Sequence, residues 1–147
     1  MTKKVVIVVG LPGSGKSTLA DKMLEEHKRD VVSFVKVSAD DYFVANGNGE
    51  YLFDPSKLGE AHQSCQNLFK QACEQGIHTI FVDNTNLMRE HRKFYVDMAL
   101  FYGYTVEYVI LPVPKNVAEL EDLHNRQIHG VPWQGMLRMW DNMEIPE

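Results

Sequence analysis

Apolar residues along this chain follow two alternating patterns. Val5-Val6-Ile7-Val8-Val9 is a continuous β-branched run, the pattern of a strand covered on both faces. Similar short runs recur around residues 32–37, at Thr79-Ile80-Phe81-Val82-Asp83, and over 105–111. Between them the apolar positions return every three or four residues. Leu19, Ala20, Met23 and Leu24 share one helical face. Over 55–75, Leu58, Ala61, Cys65, Leu68, Phe69, Ala72 and Cys73 make a longer stripe, with Asp54 as its cap and Pro55 in its first turn. A third helix is predicted to start near Asn86 and to carry Phe94, Met98, Phe101 and Tyr102 inward. A fourth starts at Asn116, with Glu119 spaced as in a capping box. A last one follows Pro132 and aligns Trp133, Met136, Leu137 and Trp140 as a core stripe. Gly76 and Gly103 stand where helices should stop, just before the third and fourth strands.

Strands alternating with helices predict an α/β fold, a parallel sheet of about four strands with helices on both faces. Crossovers should be right-handed, and ligands should sit at the carboxyl ends of the strands. A length of 147 residues fits one domain and buries enough surface to fold without staples. The net charge of −5 does not suit a wide nucleic-acid footprint, which needs a basic face, but it allows a short substrate end in a pocket. Cys65 and Cys73 lie about 12 Å apart along one helix, too far for a disulfide, and read as small core residues. With no other cysteine, no leader and no apolar run of membrane length, the cytoplasm or another reducing intracellular compartment is expected.

The segment that carries chemistry is Gly10-Leu-Pro-Gly13-Ser14-Gly15-Lys16-Ser17-Thr18, which fits the phosphate-loop pattern G-x-x-x-x-G-K-[ST]. It joins the first strand to the first helix. Glycines let successive N–H groups turn into one concavity, and the helix starts at that concavity with its positive dipole end forward. Gly13, Ser14, Gly15, Lys16, Ser17 and Thr18 are therefore the expected ATP-binding residues. Lys16 serves the β- and γ-phosphates, and Ser17 places a hydroxyl at Mg²⁺.

The second strand ends in Ser38-Ala39-Asp40-Asp41 and the third in Asp83-Asn84-Thr85-Asn86, so both ends share a rim with the phosphate loop. Asp83 is expected to organise Mg²⁺. Asp40 or Asp41 can take the proton of an attacking hydroxyl, or simply turn the chain. Arg126, beside Gly130 and Pro132, reads as part of a connection between helices that brings positive charge to the departing phosphate. His129 either helps there or packs. The remaining histidines show no ligand spacing for zinc. Residues 46–53, Asn-Gly-Asn-Gly-Glu-Tyr-Leu-Phe, read as a turn or flap beside the acceptor or as an inert loop.

In order along the chain, Gly-Leu-Pro-Gly-Ser-Gly-Lys-Ser-Thr (10–18), Ser-Ala-Asp-Asp-Tyr-Phe (38–43), Glu-Ala-His (60–62), Val-Asp-Asn-Thr-Asn (82–86) and Arg-Gln-Ile-His-Gly-Val-Pro (126–132) resemble the polynucleotide-kinase-like P-loop family. The resemblance runs from residue 4 to about 144. It implies a P-loop NTPase-type core with a small helical lid, ATP and Mg²⁺ as donor and cofactor, and transfer of the γ-phosphate to a hydroxyl, typically a nucleic-acid 5′-end. It implies Asp40 as general base, Arg126 as the lid arginine, and Lys16 and Ser17 on phosphates and metal. Two positions depart from phage members of the family. Phe43 stands where they carry an arginine for the acceptor's phosphate, and His129 where they carry a second lid arginine. Either Arg89, Arg92 or Lys93 supplies the missing contact, or the acceptor is a nucleoside or other small hydroxyl compound. A third possibility is a nucleotide-binding module of low turnover.

Overall fold

The structure, a computed structural model, describes residues 2–46, 53–128 and 130–146, with the backbone alone described at 45 and 46. Four strands form one parallel sheet: β1 (Lys4–Val9), β2 (Phe34–Val37), β3 (Thr79–Val82) and β4 (Thr105–Ile110), in the order β2-β3-β1-β4. Among the described residues six α-helices accompany it: α1 (Lys16–Arg29), α2 (Asp40–Asn46), α3 (Leu58–Glu74), α4 (Arg89–Phe101), α5 (Val117–Arg126) and α6 (Trp133–Asn142). A 3₁₀ turn, Pro55–Lys57, leads into α3, and Asp54 accepts the Ser56 N–H at 3.0 Å.

Alternation along the buried strands divides the core. Val5, Ile7, Val37, Ile80 and Val82 face α3 and α4, where Phe69 and Tyr95 meet edge to face at 5.0 Å. Val6, Val8 and Phe81 face α1 through Ala20, Leu19 and Met23. A third cluster, Leu11, Leu87, Leu120, Leu123 and Met136 with Trp133, Leu137 and Trp140 against it, seats α5 and α6 on the phosphate loop. That cluster is the predicted tryptophan–methionine stripe, and it makes the last two helices a lid at the carboxyl end of the sheet.

Both helix-stop glycines have left-handed backbones, with φ of 71° at Gly76 and 79° at Gly103. Asn116 caps α5 by accepting the Glu119 N–H at 2.9 Å. The Glu119 carboxylate reaches the Lys115 N–H instead of that of Asn116, one residue beyond the expected box. Leu58, Leu68 and Phe101 are corrections: all three are exposed, Phe101 by 80%. On α4 the buried positions are Arg92, Tyr95 and Ala99. Both cysteines are free and buried, and burial pushes the Cys73 thiol up to about 11. Among the described residues no helix is long and apolar enough to cross a membrane.

Candidate active site

The phosphate loop curls where its glycines allow. Gly13 and Gly15 have φ of 83° and 102°. At Gly13 there is also no room, because a Cβ would meet the Leu123 carbonyl oxygen at 2.3 Å and the Gln127 nitrogen at 3.2 Å. The last turn of α5 therefore lies directly against the loop. Gly15 caps α1 with no side-chain hydrogen bond, and the first turn of that helix holds no acid. Its N–H groups are left for an external anion. The Ser14 hydroxyl is buried without a hydrogen-bond partner. An orphaned hydroxyl and an uncapped helix start are what a bound polyphosphate would satisfy, so the loop fits the triphosphate of ATP.

Lys16 bends back over the loop and donates to the carbonyls of Gly10 at 3.2 Å and Leu11 at 3.0 Å. Burial holds its ammonium below the ordinary lysine value, opposed by the nearby charges of Asp83 and Asp40. Asp83, 6% exposed, follows β3, and its amide donates to the Val37 carbonyl at 2.8 Å. Burial raises its carboxyl above the usual range, while Lys36 and Lys16 pull it down. Asp40 opens α2, with its amide on the Ser38 hydroxyl at 3.1 Å. The structure thus brings Lys16, Asp40 and Asp83 together on one rim. Ser17 and Thr18 lie exposed in the first turn of α1, on the same rim. A serine hydroxyl and a carboxylate are hard oxygen donors suited to Mg²⁺. Among the described residues no group of three or more His, Cys, Asp or Glu side chains could hold a metal alone, so phosphate oxygens and water would complete that coordination.

Two asparagines lock the rim. Asn84 accepts the Ala39 N–H at 2.9 Å, tying the end of β3 to that of β2. Asn86, left-handed at φ 51°, donates to the carbonyls of Val8, Val82 and Asn84 at 2.7, 3.2 and 3.1 Å. The Gly10 amide adds a bond to the Thr85 carbonyl at 3.1 Å, so the segment after β3 is tied both to β1 at Val8 and to the start of the loop at Gly10.

A family model described as an AAA domain matches residues 5–144. The chain belongs to that family. Its P-loop is of the kinase-like type expected from the motif set. Human NEDD4-binding protein 2 is 38% identical over 95% of this chain, which spans only 8% of that protein's length. One chain of the Pnkp1/Rnl/Hen1 RNA repair complex superposes with a TM-score of 0.66 at 20% identity, covering 96% of this chain and 44% of that one. Chaetomium thermophilum Kti12, solved with ADP-AlF3, gives 0.66 at 15% identity, covering 97% and 81%. These structural likenesses concern the fold.

Within this AAA domain, several sequence expectations are corrected. Asn86 does not start a helix. It fills a left-handed turn, and α4 begins at Arg89. Arg126 is the last residue of α5 and not part of a loop, although it is exposed and lies between the two residues whose backbones touch Gly13. Arg92 is no substitute for an acceptor-binding arginine. It is 5% exposed and donates to the carbonyls of Asn86 at 2.7 Å and Glu144 at 2.9 Å. Phe43 is 2% exposed and belongs to the core. Lys93 pairs with Asp97 on the surface. His129 and residues 47–52 of the proposed flap lie outside the described residues. His78 and His124 bond to Thr79 and to the Val131 carbonyl, which accounts for them structurally. His62 is held below its ordinary value by burial, then by His91, with Asp40 opposing.

Lys36 escaped the sequence reading altogether. Its ammonium lies 3.7 Å from Asp41 and 3.9 Å from Asp83. A lysine among Phe34, Val35 and Val37 was the signal available.

Arg92 fastens α4 to both the Asn86 turn and the segment that follows α6. Arg92→Leu keeps the apolar stem and strands the buried Asn86 carbonyl and the part-buried Glu144 carbonyl. A loss of about 3 kcal/mol is expected, seen as a melting point lower by roughly 10 °C. A melting point within two degrees of the parent would remove this assignment.

Proposed function

We propose that this AAA domain is an ATP- and Mg²⁺-dependent phosphotransferase that moves the γ-phosphate to a hydroxyl. The observation that carries the reading is the convergence of Lys16, Asp40 and Asp83 at the mouth of a loop whose hydroxyl and helix start await an anion. Lys16 and the loop amides bind the phosphates of ATP. Ser17 and Asp83 hold Mg²⁺, which neutralises phosphate charge and orients the terminal group. Asp40 accepts the acceptor's proton. Arg126, beside the loop at the end of α5, meets the charge of the moving group. The nucleotide-bound neighbour and the RNA repair neighbour support ATP as donor and a polynucleotide 5′-hydroxyl as acceptor.

A second acceptor class has its own support. Phe43 is buried, and the Arg92 guanidinium is committed to carbonyls inside the protein. Neither can grip a phosphate flanking the acceptor hydroxyl, so a nucleoside or small alcohol remains the rival.

The test is transfer of label from γ-labelled ATP across 5′-hydroxyl oligonucleotides of RNA and DNA, nucleosides and small alcohols. Labelled oligonucleotide ends are expected, at turnover of about 1–100 s⁻¹. Label on nucleosides alone selects the rival. No labelled product from any acceptor overturns the phosphotransfer reading.

A further inference from the structure

We propose that Lys36 is a displaceable counter-ion of the metal site, neutralising Asp83 until a divalent cation replaces it. The inference rests on the reading that Asp83 serves Mg²⁺, and it concerns how tightly the metal is held. Five charges meet at this rim: Lys16, Lys36, Asp40, Asp41 and Asp83. Three acids and two bases leave the cluster one negative charge in excess before any ligand arrives. Asp83 is the deepest of the acids, its side chain only 7% exposed. A carboxylate so buried is costly to keep charged without a partner. Lys36 is the largest favourable influence on it, ahead of Lys16, whose ammonium is already bonded to two loop carbonyls.

The geometry of Lys36 suits a partner that can leave. It sits in β2 opposite Phe81 of β3, so its stem starts beside the strand that delivers Asp83. Its ammonium stands 3.9 Å from Asp83, beyond hydrogen-bond length, and attraction at that range survives a small shift. It is also 3.7 Å from Asp41, whose side chain is half exposed. Asp41 therefore offers a second resting place, four residues beyond the end of β2. A lysine ammonium on a flexible stem can move between the two with little reorganisation. Metal and lysine compete for one carboxylate. The present charge on Lys36 makes the metal-free protein more stable and the metal weaker.

Wild type, Lys36→Met and Lys36→Arg are compared by thermal melting in EDTA and by calorimetric titration of Mg²⁺ into protein saturated with ADP. In EDTA, Lys36→Met is expected to melt about 5 °C below wild type, while Lys36→Arg, which keeps the charge, stays close to it. Mg²⁺ with ADP should close most of that gap. The Mg²⁺ dissociation constant of Lys36→Met should fall by about tenfold, the scale on which an adjacent charge alters a carboxylate's affinity for a cation. Adding Lys36→Met to Asp83→Asn should cost nothing further in EDTA. This double variant also decides the matter if Lys36→Met alone does not fold, since removing the buried charge should restore folding. Equal melting of wild type and Lys36→Met in EDTA, failed rescue by Asp83→Asn, or Mg²⁺ affinity that is unchanged or weaker overturns the proposal. Wild type that binds Mg²⁺ and ADP normally, with Lys36→Met no different, defeats this inference alone. Wild type that binds neither defeats the phosphotransfer reading as well.

Discussion

Asp40→Asn is expected to lower phosphate transfer by roughly 10²–10⁴ while ADP binding stays within a few-fold of wild type. The side chains are nearly isosteric, and the Ser38 hydroxyl still accepts the amide of residue 40 at the start of α2, so the helix should persist. What disappears is a group able to take the acceptor's proton as the new bond to phosphorus forms. The neighbour makes the comparison sharp. Asp41 is exposed and lies 3.7 Å from Lys36, whereas Asp40 lies within electrostatic reach of Lys16 on the loop. Asp41→Asn should therefore cost less than tenfold. Initial rates with γ-labelled ATP and the best acceptor from the screen, beside ADP titrations, separate the cases. If Asp41→Asn gives the larger loss, the base has been assigned to the wrong member of the pair. If both variants transfer at wild-type rate, no aspartate at the end of β2 acts as a base.

What was legible in the sequence is what depends on near neighbours. Four apolar runs separated by helical stripes were enough for the sheet, and the two central ones, β1 and β3, are covered on both faces and so read as nearly unbroken apolar stretches. The phosphate loop was legible for the same reason, since Gly10, Gly13, Gly15 and Lys16 must stand at fixed spacing in one short segment. Errors arose where a side chain's fate depends on distant chain. Leu68 and Phe101 sit at helical spacing but fall on the rim of their stripes, and nothing local says which edge of a stripe meets the sheet. Arg92 read as a candidate contact for the acceptor's phosphate. It is buried because the Asn86 and Glu144 carbonyls, 6 and 52 residues away, converge on it. Lys36 gained its role from Asp83, which becomes its neighbour only when β2 pairs with β3. Asn86 was misread because one residue in a left-handed turn carries no periodicity, even though asparagine is among the few side chains that tolerate it.

Lys16→Ala is the second large effect expected, a loss of roughly 10²–10³ in transfer rate, about 2.7–4 kcal/mol of transition-state stabilisation. The lysine's position explains why the penalty should fall on the rate more than on nucleotide affinity. It is anchored to the Gly10 and Leu11 carbonyls and lies over the loop before any ligand arrives, so little ordering remains to be done when phosphate charge shifts. The loop amides, the start of α1 and the Ser14 hydroxyl are untouched by the substitution and still bind the α- and β-phosphates. ADP affinity should accordingly weaken by no more than about tenfold, the scale of one hydrogen bond to a charged group. Lys16→Arg discriminates further. A planar guanidinium cannot reproduce the compact ammonium seated on two carbonyls, so arginine should recover little of the rate despite keeping the charge. Single-turnover rates at saturating ATP, with ADP affinities measured alongside, give both quantities. An alanine variant that transfers phosphate at near-normal rate would mean the loop only holds nucleotide, and catalysis would then have to come from the lid side of the cleft, where Arg126 ends α5.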